Sequence, residues 1–260
     1  MTVSIATWNV NSLRVRLPHL TDWLASTRVD VVALQEIKLA DADFPHQELA
    51  STGYDVVFSG QKTYNGVAVL ARRGLALAGS IIKDIPGFSD EQRRVLAVDA
   101  GPLRVINLYV PNGQAVGSEK FDYKLRWMAA LQSWLRLEAR THANLVVLGD
   151  FNVAPENRDV HDPAAWIGQN LVSEPERTAL RGLLDTGLVD VFRSFEQADS
   201  SFSWWDYRMG AFRRNHGLRI DLILAHSTLA KACRSCLIDR EPRRLERPSD
   251  HAPVIATFDI

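Results

Sequence analysis

The chain has 260 residues, of which 46% are hydrophobic, enough to bury the core of one large domain. Its formal net charge is −1. The chain as a whole is therefore not attracted to nucleic acid or to an anionic membrane by its net charge. No apolar run is long enough for a transmembrane helix, and the N-terminus lacks the features of a signal peptide. We therefore expect one domain over residues 1–260, cytoplasmic and without a membrane anchor.

The only two cysteines, Cys233 and Cys236, are three residues apart. This spacing is found in redox pairs and in halves of zinc sites, but no second cluster of Cys or His follows to complete a zinc site. The segment 232–239 has the pattern of a strand, in which side chains three apart face opposite ways. We therefore expect two small half-buried residues rather than a redox pair.

Hydrophobic periodicity predicts many strands and few long helices. The predicted strands cover 2–8, 30–35, 54–59, 67–72, 75–82, 94–99, 103–110, 144–149, 202–205, 218–225, 232–239 and 254–258. The predicted helices cover 13–27, 45–50, 118–140 and 176–186, and Pro18 predicts an early kink or a late start in the first of them. Residues 153–175 contain three prolines and predict a long functional loop. This pattern predicts an α/β protein with two packed, mixed β-sheets flanked by helices.

The stretch Asn144–Asn152 combines a buried strand with polar groups at its end. An apolar, β-branched run leads into Gly149, and Asp150 and Asn152 follow at once. Residues two apart on an extended segment point the same way, so a carboxylate and an amide are expected to project side by side. An ordinary Asp/Asn turn is the alternative interpretation.

Other predicted strands also end in polar residues. These are Asn9, Glu36, Asp221, Asp250 and His251. Carboxylates and amides are hard oxygen ligands that suit Mg²⁺, with Mn²⁺ as an alternative. Asp221 stands in an otherwise apolar strand and needs a partner, for which an imidazolium such as that of His251 is suited. Taken singly, each residue also fits a turn, a solvated strand end or an ordinary histidine.

Eight motifs in order along the chain resemble the exonuclease III family of DNA-repair enzymes, within the endonuclease/exonuclease/phosphatase superfamily. They are Trp8–Arg14, Gln35–Lys38, Asn65–Ala68, Asn107–Asn112, Gly149–Ala154, Trp204–Arg208, Leu218–Asp221 and Ser249–His251. The resemblance implies a four-layer α-β-β-α sandwich, in agreement with the periodicity.

The resemblance also implies a metal site and a general base. Glu36, helped by Asn9 and Asp250, would hold the catalytic metal, and Asp150 would orient and deprotonate the attacking water. A second metal ion bound by Asp150 and Asn152 is an open alternative, because the sequence does not give the number of metal ions.

The implied phosphate-binding residues are Asn152, the Tyr109 hydroxyl and His251, with Asp221 orienting His251 and favouring its charged form. Phosphodiester hydrolysis needs an in-line water, neutralisation of phosphoryl charge and stabilisation of the leaving 3′ oxygen. A metal with fixed hydrogen-bond donors supplies the last two.

Between Trp205 and Arg247 ten Lys/Arg stand against five Asp/Glu, interleaved with aromatic residues. A solvated charged face is one interpretation, and a surface that follows DNA phosphates is the other. By resemblance, Trp204, Leu218 and Ile220 would line an apolar pocket for a flipped sugar without its base. The remaining expected DNA contacts are Asn11, Lys38, Asn112 and Arg208.

The leading hypothesis is a Mg²⁺-dependent abasic-site endonuclease with 3′→5′ exonuclease and 3′-phosphatase or phosphodiesterase activity. Its partner would be duplex DNA with abasic sites or blocked 3′ ends, and we expect a monomer. Segments 112–117 and 165–168 depart from some relatives, so specialisation in 3′-end processing is an alternative. A lipid or inositol-phosphate phosphoesterase and an inert DNA-binding scaffold are further alternatives, but neither explains the whole residue set.

Overall fold

Two six-stranded β-sheets pack face to face in this computed structural model, which describes all 260 residues. The first sheet contains β1 (Thr2–Asn9), β2 (Val31–Gln35), β3 (Tyr54–Ser59), β4 (Val67–Arg72), β11 (Cys233–Ile238) and β12 (Val254–Asp259). The second contains β5 (Leu77–Ile82), β6 (Val95–Ala100), β7 (Leu103–Tyr109), β8 (Leu145–Asp150), β9 (Leu188–Asp190) and β10 (Asp221–His226).

The helices are α1 (Leu13–Thr27), α2 (His46–Ser51), α3 (Glu119–Thr141), α4 (Glu174–Leu184), α5 (Ala211–Arg214) and α6 (Ser227–Ala230). Short 3₁₀ turns lie at Asp41–Asp43, Asn157–Asp159, Val191–Ser194, Arg208–Gly210 and Glu241–Arg244. None of these helices is both long enough and apolar enough to cross a lipid bilayer.

Three separate apolar cores confirm the predicted four-layer sandwich. One core of 23 buried residues fills the space between the two sheets. A second joins the outer face of the second sheet to α3 and α4, and a third joins the outer face of the first sheet to α1 and α2. Because each sheet is covered on both faces, its central strands consist mostly of buried residues, as the continuous hydrophobic runs predicted.

The sheet topology brings several strand ends to one edge of the sandwich. In each sheet one pair of neighbouring strands is parallel, β1 with β2 and β7 with β8, and the remaining pairs are antiparallel. The carboxyl ends of both parallel pairs therefore meet the amino ends of β10 and β12. The mixed sheets predicted from the sequence are confirmed.

Some local predictions were wrong. Within residues 202–205 only Trp204 forms isolated bridges and no strand forms, because the Ser203 hydroxyl accepts the backbone N–H groups of Ile220 and Asp221 in place of a main-chain ladder. Helix α1 begins at Leu13 despite Pro18, since its buried face anchors it. Helix α4 begins two residues early because Ser173 and Glu176 form a reciprocal capping box.

The strand β9 was not predicted because it has only three residues. Cys233 and Cys236 lie in β11 as free thiols, as expected. A bulge between Cys233 and Ser235 changes the alternation, so both thiols pack against the core between the sheets rather than facing opposite ways.

Candidate active site

Adjacent strands of the second sheet place three polar side chains side by side. In the strand register, Asp150 at the end of β8 pairs with Tyr109 of β7 and with Asp221 of β10. Gly149 allows this approach, because its φ is 148° and a Cβ there would lie 1.9 Å from the Leu108 carbonyl oxygen. The pairing explains why a glycine precedes Asp150 in an otherwise apolar strand.

The first sheet supplies the opposite wall. Asn9 ends β1 and Glu36 directly follows β2, and the two strands are parallel neighbours. The Asn9 amide donates to Glu36 Oε1 and to Asp150 Oδ2, each at 2.9 Å. Asn9 therefore clamps a carboxylate from each sheet at a fixed separation.

The resulting cluster has the composition of a hard-metal site. Potential ligand atoms of Glu36, Asp150 and His251 lie within 4.8 Å of one another. Four carboxylates meet here, those of Glu36, Asp150, Asp221 and Asp250. The cationic side chains in contact with them are Lys38 and His251. The surplus of negative charge and the oxygen donors fit a hard divalent cation.

Two expected metal ligands have other partners in the structure. The Asn9 side-chain oxygen accepts the Asn11 backbone N–H at 3.0 Å, so the side-chain nitrogen, not the oxygen, points towards Glu36. The Asp250 carboxylate accepts the Trp204 indole N–H and the Asn11 amide, each at 2.9 Å. The structure places Glu36 and Asp150 at the candidate metal site, with Asn9 and Asp250 beside them and engaged by these hydrogen bonds.

His251 is held as expected. Its Nδ1 lies 2.9 Å from Asp221 Oδ2, and its Nε2 lies 3.8 Å from Asp150 Oδ2. Burial alone would lower the pKa of His251, but the charges of Asp221 and Asp150 raise this pKa to about 10. The imidazole is therefore a cation at neutral pH, with Nε2 as its free donor.

Burial raises the pKa values of Asp150 and Tyr109, the opposite of its effect on His251. It raises the pKa of Asp150 to about 7, against the lowering effect of the His251 charge. It also raises the pKa of the Tyr109 hydroxyl well above its ordinary value, with the Glu36 charge acting in the same direction. Asp150 can therefore exchange a proton near neutral pH, whereas Tyr109 stays a neutral hydrogen-bond donor.

Asn152 lies beside Asp150, but not for the predicted reason. The chain does not continue as a strand: Asn152 has a φ of 49° and its backbone N–H donates to Asp150 Oδ1 at 2.9 Å. The side-chain amide donates to the Val110 carbonyl and to Asp150, and its oxygen accepts the Asn112 amide at 3.1 Å. Because both N–H groups are used, Asn152 holds Asp150 here instead of presenting a free donor to phosphate.

Backbone strain marks the same place. Besides Asn152, the residues Asn11, Glu36 and Lys38 have φ values of 44°, 50° and 54°. Positive φ is unfavourable for residues other than glycine, and such strain clusters at functional sites.

The expected DNA contacts are only partly available. Lys38 donates to Glu36 at 2.8 Å and to the Asn11 oxygen at 2.5 Å, so these two side chains are engaged inside the site. Arg208 is exposed but pairs with Asp206 at 2.7 Å, and Asn112 is exposed at the cleft.

The apolar pocket expected from Trp204, Leu218 and Ile220 is closed. Leu218 and Ile220 are 0% and 1% exposed and belong to a packed cluster that Trp166 and Trp204 also contact. Burial of these two residues depends on segment 154–172, which the sequence pattern does not connect to them.

A polar cleft of about 740 Å³ opens instead beside Glu36 and Tyr109. Its other lining residues include Gln61, Tyr64, Asn65, Gln92, Arg94, Gln114, Lys120 and Tyr123. The sequence pointed to two of these, Asn65 in one of the eight motifs and Gln114 in segment 112–117, and not to the others. The others come from several loops and from the start of α3, and these segments lie far apart in sequence, so no local signal could have grouped them.

Comparisons with known proteins agree with this geometry. The sequence model of the endonuclease/exonuclease/phosphatase family matches residues 6–251. The chain is 36% identical to exodeoxyribonuclease III of Haemophilus influenzae, over 96% of this chain and 98% of the relative.

Solved structures extend the likeness to the whole fold. A 3′ phosphatase from Neisseria, NExo, bound to a product DNA hairpin, matches with a TM-score of 0.96 at 45% identity, over 99% of this chain and 100% of that one. An AP endonuclease from Archaeoglobus fulgidus matches with a TM-score of 0.93 at 37% identity, over 99% and 100% of the two chains. The resemblance carried by the eight motifs is confirmed, and the chain belongs to the endonuclease/exonuclease/phosphatase family.

Proposed function

We propose that this protein is a DNA-repair phosphodiesterase that uses Mg²⁺, with Mn²⁺ as an alternative, to hydrolyse the backbone at abasic sites and to remove nucleotides or blocking groups from 3′ ends. The observation that carries the proposal is the convergence of Glu36, Asp150 and His251 at one edge of the sandwich. The names of the relatives support DNA as the substrate class.

Glu36 and Asp150 would hold the metal, since the Asn9 amide fixes their oxygens at 2.9 Å from one nitrogen. The bound cation would neutralise charge on the phosphoryl oxygens and on the leaving 3′ oxygen. The carboxylate of Asp150 would also orient the attacking water and accept its proton.

The chain's own donors would bind the phosphate. His251 presents a cationic N–H at Nε2, and Tyr109 presents a neutral hydroxyl beside Glu36. Asp221 keeps the His251 ring in place through Nδ1. Fixed donors aimed at developing charge lower the barrier without reorganising during the reaction.

A second candidate, specialisation in 3′-end processing with little internal incision, is favoured by the closed apolar cluster. Leu218 is 0% exposed, so a flipped abasic sugar finds no open pocket beside it. The Neisseria neighbour at 45% identity is named as a 3′ phosphatase.

One assay separates the two candidates. Duplexes carrying an internal abasic analogue, a 3′-phosphate at a nick or an undamaged 3′ end are incubated with and without Mg²⁺. Metal-dependent cleavage of all three supports the broad activity, and cleavage of the last two alone supports the specialised one. Absence of metal-dependent turnover on every duplex would reject both.

A further inference from the structure

Beneath the cleft lies a fully buried ion pair that the proposed chemistry does not use. Lys124 on α3 contacts Glu176 on α4, and both side chains are 0% exposed. Removing two charges from water is strongly unfavourable before any compensation. A pair retained at this cost needs a structural explanation, and its contacts supply one.

Lys124 uses all three of its ammonium N–H groups. One donates to Glu176 Oε1, one to the Asn152 carbonyl at 2.7 Å and one to the Asn112 carbonyl at 3.2 Å. Three donors with three acceptors saturate the ammonium group. The two carbonyls belong to different segments at the cleft, and Asn112 begins the first rim loop, residues 112–117.

Glu176, the partner of Lys124, holds a second loop at the rim of the cleft. Its carboxylate accepts the backbone N–H groups of Leu171 and Ser173 at 3.0 and 3.1 Å, together with the Ser173 hydroxyl. These residues end the second rim loop, residues 153–173. Asn170 in the same loop donates to the Asn112 carbonyl at 2.8 Å, so the two rim loops also touch directly.

The same lysine supports the strained residue beside Asp150. Asn152 has a φ of 49°, and its backbone N–H is held by Asp150 while its carbonyl is held by Lys124. Strained conformations persist when the surroundings fix them on more than one side.

We propose that Lys124 is a positioning residue that makes Asn152 and the two rim loops a single mechanical unit. The loops would then order together around DNA instead of moving independently. The functional consequence rests on the proposed function, whereas the mechanical coupling does not.

Hydrogen exchange of the free protein tests the coupling, with Glu176→Gln as the probe. This variant keeps the size of the side chain and weakens its bond to Lys124. We expect amide exchange to become at least about 10-fold faster in both rim loops, because local opening then needs less free energy. The first rim loop has no direct contact with Glu176, so its response measures the coupling.

Glu138→Gln is the matched control. Glu138 lies on the same helix α3 and accepts the Arg104 and Trp134 side-chain N–H groups at 3.0 Å, away from the cleft. It should leave exchange in both rim loops unchanged. Faster exchange in the second rim loop alone in E176Q would overturn the proposal, as would an equal response in E138Q.

Lys124→Met gives an independent test. It leaves Glu176 charged and buried without its partner, so the melting temperature should fall, and adding E176Q to K124M should recover part of the loss. Fast exchange in both loops should persist in the double variant. Recovery of slow exchange there would show that charge balance, not the lysine bridge, orders the loops.

Kinetics then link the coupling to function. In E176Q the KM for duplex DNA should rise about 10-fold while kcat changes less, since loop order affects binding more than chemistry. An inactive wild-type protein with coupled exchange would reject the proposed function alone. An active protein with uncoupled exchange would reject this inference alone.

Discussion

The cleft has two walls that the chain builds in different ways. The strand-end wall contains Asp150, Asp221 and His251, which are 1%, 1% and 4% exposed and are each fixed by neighbouring side chains. The other wall, called the loop wall, contains exposed groups such as Asn112 and Gln114 of the first rim loop and Lys120 at the start of α3. From this difference we infer a division of labour, in which the buried groups perform the chemistry and the exposed groups bind the substrate.

The largest effect is expected at the centre of the strand-end wall. Asp150→Asn preserves the shape of the side chain but cannot accept a proton, so kcat should fall about 10³-fold. Steady-state kinetics on a duplex with a 3′-phosphate measures this. The fold should persist, because the Asn side chain is neutral where burial already disfavours the charged form. Near-normal turnover by a folded D150N protein would remove Asp150 from the role of base.

The next effect concerns the metal. Glu36→Gln removes one of the two carboxylates that Asn9 clamps, and the metal concentration for half-maximal activity should rise about 100-fold. Mn²⁺ binding by calorimetry checks the same change without turnover. Asp250→Asn is the comparison, because the Asp250 carboxylate already accepts the N–H groups of Trp204 and Asn11. An equal loss of metal affinity in D250N would make Asp250 a ligand.

A smaller effect is expected from the partner of His251. The active form needs Asp150 deprotonated and His251 protonated, so activity should rise with pH through the Asp150 pKa and fall above that of His251. Asp221 raises the pKa of His251, which is about 10 in the intact site. Asp221→Asn should therefore move the falling limb to lower pH and reduce the maximal rate about 10-fold.

Ser203→Ala is the control for that shift. The Ser203 hydroxyl donates to Asp221 at 2.7 Å, so its loss disturbs the carboxylate without removing its charge. The falling limb in S203A should stay near that of the intact protein. A pH profile of D221N that superimposes on the original would show that His251 is not the group responsible for the falling limb.

The two walls also differ in how well the sequence predicted them. Asp150 and Glu36 were identified because each follows a continuous apolar run, and such a run predicts where a buried strand ends. Parallel pairing then brings Asn9 beside Glu36 in one sheet and Tyr109 beside Asp150 in the other, and the packing of the two sheets brings both pairs together. Asn152 was correctly placed beside Asp150, although a turn rather than an extended chain puts it there.

The loop wall could not be predicted in the same way, because its contacts depend on residues far apart in sequence with no common period. Lys124 lies on the buried face of α3, where hydrophobic periodicity predicts apolar residues alone. Leu218 is covered by a segment about 50 residues earlier, so its exposure was not readable from its own motif. The indole N–H of Trp204 donates to Asp250, and no pattern of hydrophobicity reports a hydrogen bond.

The smallest expected effect separates free from paired cations on the loop wall. Lys120 lines the polar cleft and forms no ion pair, whereas Arg208 already pairs with Asp206 at 2.7 Å. Lys120→Ala should therefore raise the KM for duplex DNA a few-fold. The slope of log KM plotted against log salt concentration should also decrease by about 1, because one phosphate contact is lost.

Arg208→Ala should change KM less than K120A at the same salt concentration, because its pairing with Asp206 has to be broken before it can bind a phosphate. Neither variant should alter kcat, since neither side chain reaches Glu36, Asp150 or His251. A fall in kcat for K120A would show that a residue of the loop wall takes part in the chemical step. A salt slope that drops in R208A but not in K120A would move the path of the DNA from the polar cleft to the segment that carries Trp204 and Arg208.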